Sequence, residues 1–134
     1  MIYLLDTNVC IRYLNGRSPD VLLRLQALQP VDVVVCSVVK AELFYGAQRS
    51  HTPARSLGVQ RQFLQPYRSL PFDDTAAELA GLVRAQLADQ GTPIGPYDLQ
   101  IAAIALANNC ILVTHNVREF SRVPNLSIED WESA

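Results

Sequence analysis

The chain has 134 residues, 49% hydrophobic and 18% charged, with a formal net charge of -2. That length fits one domain spanning 1–134, able to bury roughly two-thirds of its unfolded surface, and the short, separated apolar blocks exclude disorder, coiled coil and low complexity. Membrane spans are excluded as well, because Gln100 and Asn108-Asn109 interrupt the longest apolar stretches well before the roughly 20 residues a spanning helix needs. The N-terminus has neither the basic start nor the small-residue cleavage site of a signal peptide, so a cytoplasmic protein is expected. Cys10, Cys36 and Cys110 are far apart and flanked by Val or Ile; they read as buried free thiols, since no C-x-x-C spacing or nearby His pair suggests zinc or a disulfide. The basic residues are ten Arg against the single Lys40, a bias that suits bidentate contact with phosphates or carboxylates.

In chain order, Ile2 to Leu5 predicts a strand apolar on both sides and therefore central in a sheet. Asp6-Thr7-Asn8 follows at once. Asn8 is in place to cap a helix through Ile11 and Leu14, which Asn15-Gly16 ends. Val21, Leu22, Leu25 and Leu28 predict a second helix from Pro19 to Leu28, and the β-branched run Val31 to Cys36 a second strand. Ser37 is the expected cap of a helix that carries Glu42 and runs to about Ser50. Pro53 to Leu64 predicts another helix, and Ser69 to Phe72 a short extended piece. Thr75-Ala76-Ala77-Glu78 has the spacing of a capping box, opening a helix that stops near Gly91. Thr92 to Pro96 reads as irregular. Asp98 falls in the first turn of a helix ending at Asn108-Asn109, Cys110 to Thr114 is a strand, and Leu126 to Ile128 a last edge strand. Short apolar strands alternating with helices predict an α/β fold with a parallel sheet covered on both faces.

Three acids occupy expensive positions. Asp6 ends a buried strand, where an unpartnered carboxylate must be protonated, hydrogen-bonded or paired with a cation. At about 100° per residue, Glu42 shares a helix face with Val38, Val39 and Gly46, and Asp98 with Ile101, Ala102 and Ala105. Each alone has a bland alternative: Asp98 could cap free amides, Asp6 could brace a turn, and Glu42 could pair with an Arg. Together, three core-facing acids repel one another unless a cation neutralises them. Oxygen ligands without Cys or His favour Mg²⁺ or Mn²⁺, and such a site suits in-line attack of water on a phosphodiester. Thr7, Ser37 and Thr114 are hydroxyls placed to orient a ligand, with capping the better reading for Ser37. Asp20, Asp32, Asp73, Asp74, Glu78, Asp89, Glu129, Asp130 and Glu132 read as caps and solvated charge.

Four segments in order carry a resemblance: Leu4-Leu5-Asp6-Thr7-Asn8; Ser37 to Leu43 with Tyr45-Gly46-Ala47; Pro93 to Ala102; and Thr114-His115-Asn116-Val117-Arg118-Glu119-Phe120. They resemble the successive motifs of PIN-domain ribonucleases, with the nearest likeness to VapC toxins of bacterial type II toxin-antitoxin systems, and the likeness extends to Glu129-Asp130-Trp131. It implies a three-layer α/β/α sandwich with a mostly parallel central sheet, Mg²⁺-dependent endonucleolytic cleavage of tRNA or rRNA loops, inhibition by a VapB-like antitoxin, and a homodimer. Carried over by motif, Asp6, Glu42, Asp98 and Asn116 form the catalytic set, with Asp6, Asp98 and Glu42 as metal ligands. Many family members have Asp where this chain has Asn116. The loss of that charge leaves one or two metals open, with Glu119 three residues on as a compensating acid. Arg12, Arg17, Arg118 and Arg122 are candidate RNA contacts, Tyr97 a candidate base-stacking ring, and His115 a loop residue near RNA. The rival readings are a haloacid-dehalogenase-like phosphohydrolase, which lacks here its second Asp (Asn8) and late Lys, and a PIN-like binding module with a dead site.

Overall fold

The short apolar segments become a five-stranded sheet in a computed structural model that describes residues 1–132. The strands β1 (Tyr3–Leu5), β2 (Val33–Cys36), β3 (Arg68–Leu70), β4 (Ile111–Val113) and β5 (Ile128–Glu129) lie in the order β3-β2-β1-β4-β5, and every pairing is parallel. β1 is central, as its two-sided apolarity predicts: Leu4 lies between Val34 of β2 and Leu112 of β4, all fully or almost fully buried.

Among the described residues, seven α-helices connect the strands: α1 (Thr7–Leu14) and α2 (Pro19–Gln26), α3 (Ser37–Gln48) and α4 (Pro53–Leu64), α5 (Asp74–Asp89) and α6 (Pro96–Ala107), and the short α7 (Val117–Phe120). Right-handed crossovers put α1 to α4 on one face of the sheet and α5 with α6 on the other. The expected three-layer α/β/α architecture results, with α3 packed on α4 and α5 on α6. The chain crosses from β3 at one edge to β4 beside β1, so the switch point lies between β1 and β4, where parallel sheets open a crevice at the strands' carboxyl ends. Residues 101–105 of α6 are wholly buried beneath it, and the three cysteines are free and buried, as expected.

The departures from expectation are local. Asp6, not Asn8, caps α1, its extended backbone letting Oδ1 accept from Thr7 N at 2.8 Å. Cys36 occupies the cap position of α3 without a side-chain bond, and Ser37 is already helical. Thr75 does not open α5, because Asp73 accepts from Ala76 N and starts the helix earlier. Pro30 begins a 3-10 turn through Asp32, which shortens the predicted Val31–Cys36 strand to Val33–Cys36. Pro96 belongs to α6 as its first residue, where a missing N–H costs nothing. α2 stops at Gln26, the extended piece is Arg68–Leu70, the last strand is Ile128–Glu129, and α7 was not foreseen. The predicted stops near Gly16, Gly91 and Asn109 hold, each with positive φ.

Candidate metal centre

A single chain of hydrogen bonds builds the site at the switch point. Asp6, at the end of β1, is 4% exposed. Its Oδ1 accepts from Thr7 N and its Oδ2 from Thr114 Oγ1 at 2.8 Å. Thr7 Oγ1 in turn donates to Glu42 Oε1 at 2.7 Å, linking α1 to α3. On the other side, Thr114 Oγ1 accepts from Asn116 N at 3.0 Å, and Asn116 Nδ2 donates to Glu119 Oε2 at 3.0 Å. Glu119 Oε1 accepts from Gly95 N at 2.8 Å, just before α6. Asp98, in the first turn of α6, shares a side-chain hydrogen bond with Glu119. Gly95 lies beside this pair, and a Cβ there would make ordinary van der Waals contact with both, 3.7 Å from Glu119 Oε1 and 3.8 Å from Asp98 Oδ2.

Residues from β1, α1, α3, α6, α7 and the end of β4 thus gather four carboxylates. Burial raises Asp6 above the ordinary carboxylate range, against the lowering effect of its Thr114 and Thr7 bonds, and Glu42 and Glu119 push it further up. Asp98 is raised to about 7, first by burial and then by Asp6, Glu119 and Glu42. Glu119 is lowered, chiefly by the Gly95 amide. Among the described residues, the ion pairs involve none of Asp6, Glu42 and Asp98. A concentration of negative charge with hard oxygen donors, in which Asp6, Glu42 and Asp98 have no ion-pair partner among the described residues and only Glu119 feels a nearby Arg122, fits a divalent cation of the Mg²⁺ or Mn²⁺ kind. Cysteine chemistry is excluded beside it, because burial pushes the Cys10 and Cys36 thiols up, Cys36 to about 11.

All four residues of the expected catalytic set, Asp6, Glu42, Asp98 and Asn116, take part in this arrangement, and Glu119 joins them through its bond from Asn116 Nδ2. Thr114 is fully buried with its hydroxyl committed to Asp6, so it positions a carboxylate instead of meeting a ligand directly. Thr7 does the same for Glu42. Tyr97 is exposed and lines a groove with Thr7 and Glu42. Arg12 and Arg17 line a neighbouring depression with His115 and Asn116. Arg118 is exposed, and Arg122 Nη1 donates to Pro93 O at 3.2 Å.

Three acids expected to be merely solvated are tied into contacts. Asp130 pairs with His115 Nδ1 at 3.0 Å, Glu132 with Arg12 at 3.4 Å and Glu129 with Arg24 at 2.8 Å. Glu119, singled out in the sequence by its spacing three residues after Asn116, is bonded to Asn116 Nδ2 in the fold.

Residues 3–126 match the PIN domain family. The tRNA(fMet)-specific endonuclease VapC of Salmonella typhimurium is 40% identical over 129 residues, 96% of this chain and 97% of that one. Among solved structures, DNA-bound VapBC from Salmonella typhimurium superposes with a TM-score of 0.92 at 38% identity, covering 98% of both chains. VapBC2 from Rickettsia felis, bound to a DNA fragment from its promoter, gives a TM-score of 0.91 at 34% identity, covering 98% of this chain and 99% of that one.

Proposed function

The chain belongs to the PIN-domain family, and from that premise we propose that it is the VapC-type toxin of a type II toxin-antitoxin pair, a metal-dependent endoribonuclease held in check by a VapB-like antitoxin. The observation that carries this reading is the convergence of Asp6, Glu42, Asp98 and Glu119 with no basic side chain paired to the first three. A dead binding module would have no use for carboxylates kept so close at such electrostatic cost. The proposal treats 1–134 as a single domain acting as a homodimer in the cytoplasm. The tRNA named for the Salmonella relative makes a tRNA the first substrate class to test, ahead of ribosomal RNA.

Asp6, Asp98 and Glu42 are the proposed ligands, with Mg²⁺ the first candidate and Mn²⁺ the second. A divalent cation supplies Lewis-acid stabilisation of charge on the phosphate oxygens and a more acidic water for in-line attack. The protein's own part is preorganisation. Thr7 N and Thr114 Oγ1 fix both oxygens of Asp6, and the Thr7 hydroxyl fixes Glu42 Oε1. Gly95 N and Asn116 Nδ2 hold Glu119 beside Asp98. Asp98 must be ionised to ligate, and Glu42, which lines the groove, is placed to accept a proton from an attacking water. Arg12 and Arg17, in the depression beside Asn116, are the proposed contacts for the RNA backbone; Arg118 is a further exposed candidate for backbone contact.

Brief induction in bacterial cells followed by mapping of new RNA 5′ ends tests the reading. The wild-type chain is expected to stop growth and leave discrete ends in one RNA class, co-expression of a VapB-like antitoxin to suppress both, and Asp6→Asn to do neither. Undiminished cleavage by Asp6→Asn would sink it.

A further inference from the structure

A second feature of the acidic site has no part in holding a cation. Tyr45 and Tyr97 are 69% and 58% exposed, unusual for large aromatic side chains, and both line one groove of about 720 Å³ that ends on Thr7 and Glu42. Tyr45 lies three residues after Glu42 on α3, hence on the same side of that helix. Tyr97 directly precedes Asp98 on α6. The two rings therefore come from the helices that deliver Glu42 and Asp98, and the groove reaches the carboxylate cluster at Glu42.

The chemistry of the groove selects its occupant. Glu42, already committed to the acid cluster, is its one charged lining residue, so it is no track for phosphates. Asn8 and Gln100 line the same groove as the two tyrosines, and their side-chain amides each offer a donor and an acceptor. The adjoining depression, which shares Asn8 and Ile11 with this groove, carries Arg17 and an Arg12 paired with Glu132. The aromatic rings thus line one groove and the arginines the other. We propose that the Tyr45–Tyr97 groove is a nucleobase pocket, which takes one unpaired base next to the scissile phosphate, stacks it on the tyrosine rings and reads its edge with Asn8 and Gln100. Aromatic rings hold single-stranded bases in this way, and a base paired within an A-form duplex cannot present its face or its Watson–Crick edge to them. The pocket thus explains selection of a loop over a stem. The inference rests on the ribonuclease reading.

The test uses full-length protein and a tRNA pool, from which the cleaved species is remade with single abasic nucleotides around the cut. Tyr45→Ala and Tyr97→Ala are expected to raise KM about ten-fold or more with kcat little changed, and Tyr→Phe at either position to restore most of it, since stacking needs the ring and not the hydroxyl. One abasic position beside the cut should produce the same loss in the wild type and add nothing further in the Ala variants. KM unchanged in both Ala variants overturns the pocket, as does an Ala effect that simply adds to every abasic substitution. A shift of the Ala variants to a smaller oligomer in sedimentation also overturns it, by showing that the groove is covered by a second copy of the chain. Wild-type protein that cleaves no RNA overturns the ribonuclease reading itself and the pocket with it, an outcome distinct from normal cleavage by the tyrosine variants.

Discussion

Asp98→Asn in metal-free protein separates a metal ligand from a structural carboxylate. Asp98 is raised from 3.8 to about 7, first by burial and then by Asp6, Glu119 and Glu42. A folded-state pKa above the unfolded value contributes stability that is present below about pH 4 and lost as pH rises through about 7. A rise of that size corresponds to about 4 kcal/mol at 1.36 kcal/mol per pH unit, and screening at this half-buried group reduces the figure to about 2 kcal/mol. Asn has the shape of the protonated acid and can still donate to Glu119. The variant should therefore unfold about 2 kcal/mol later than wild type at pH 8 in EDTA, a Tm gain of roughly 8 °C for a chain of this length. Near pH 4 the gain should disappear, and at pH 8 millimolar Mg²⁺ should stabilise the wild type more than the variant. Thermal unfolding followed by circular dichroism at both pH values, with EDTA and with Mg²⁺, reads all three effects. An equal loss of stability at both pH values would refute the reasoning, because Asp98 would then be a structural hydrogen-bonding group.

Thr114→Val removes the donor to Asp6 Oδ2 and the acceptor for Asn116 N; a loss of about 1–3 kcal/mol in urea unfolding and of about 10- to 100-fold in RNA cleavage is expected, and unchanged activity would show that Asp6 needs no positioning. Arg17→Ala should lower the slope of log affinity against log salt for a tRNA by about 0.7–0.9, whereas an unchanged slope would place the RNA backbone elsewhere. Cys10, Cys36 and Cys110 should resist an alkylating reagent in native protein and react fully in urea; rapid native labelling at Cys10 would contradict the packed core behind Asp6.

The parts of the fold that depend on local pattern were legible in the residues. The two-sided apolarity of Ile2 to Leu5 placed β1 at the centre, and Gly16, Gly91 and Asn109 marked helix ends. Asp6, Glu42 and Asp98 stood out because a carboxylate facing a core demands a reason. Caps were harder, because Asp6-Thr7-Asn8 and Asp73-Asp74-Thr75 each offer several side chains able to bond the first turn. The backbone's exact entry into the helix decides among them. The contacts that complete the site lay beyond pattern altogether. Thr114 meets Asp6 across 108 positions and Thr7 meets Glu42 across 35, pairings that follow from strand order and from no periodicity. Asp130 and Glu132 looked like ordinary solvated tail residues until β5 brought them beside His115 and Arg12.

Cleavage of a tRNA pool by purified protein stripped of metal, then supplied with Mg²⁺, tests the four-carboxylate centre most directly when wild type and Asp98→Asn run side by side. The account predicts discrete fragments from wild type with Mg²⁺, none with EDTA, and none from Asp98→Asn under either condition. Fragments of the same size from wild type in EDTA, or from Asp98→Asn with Mg²⁺, would contradict it.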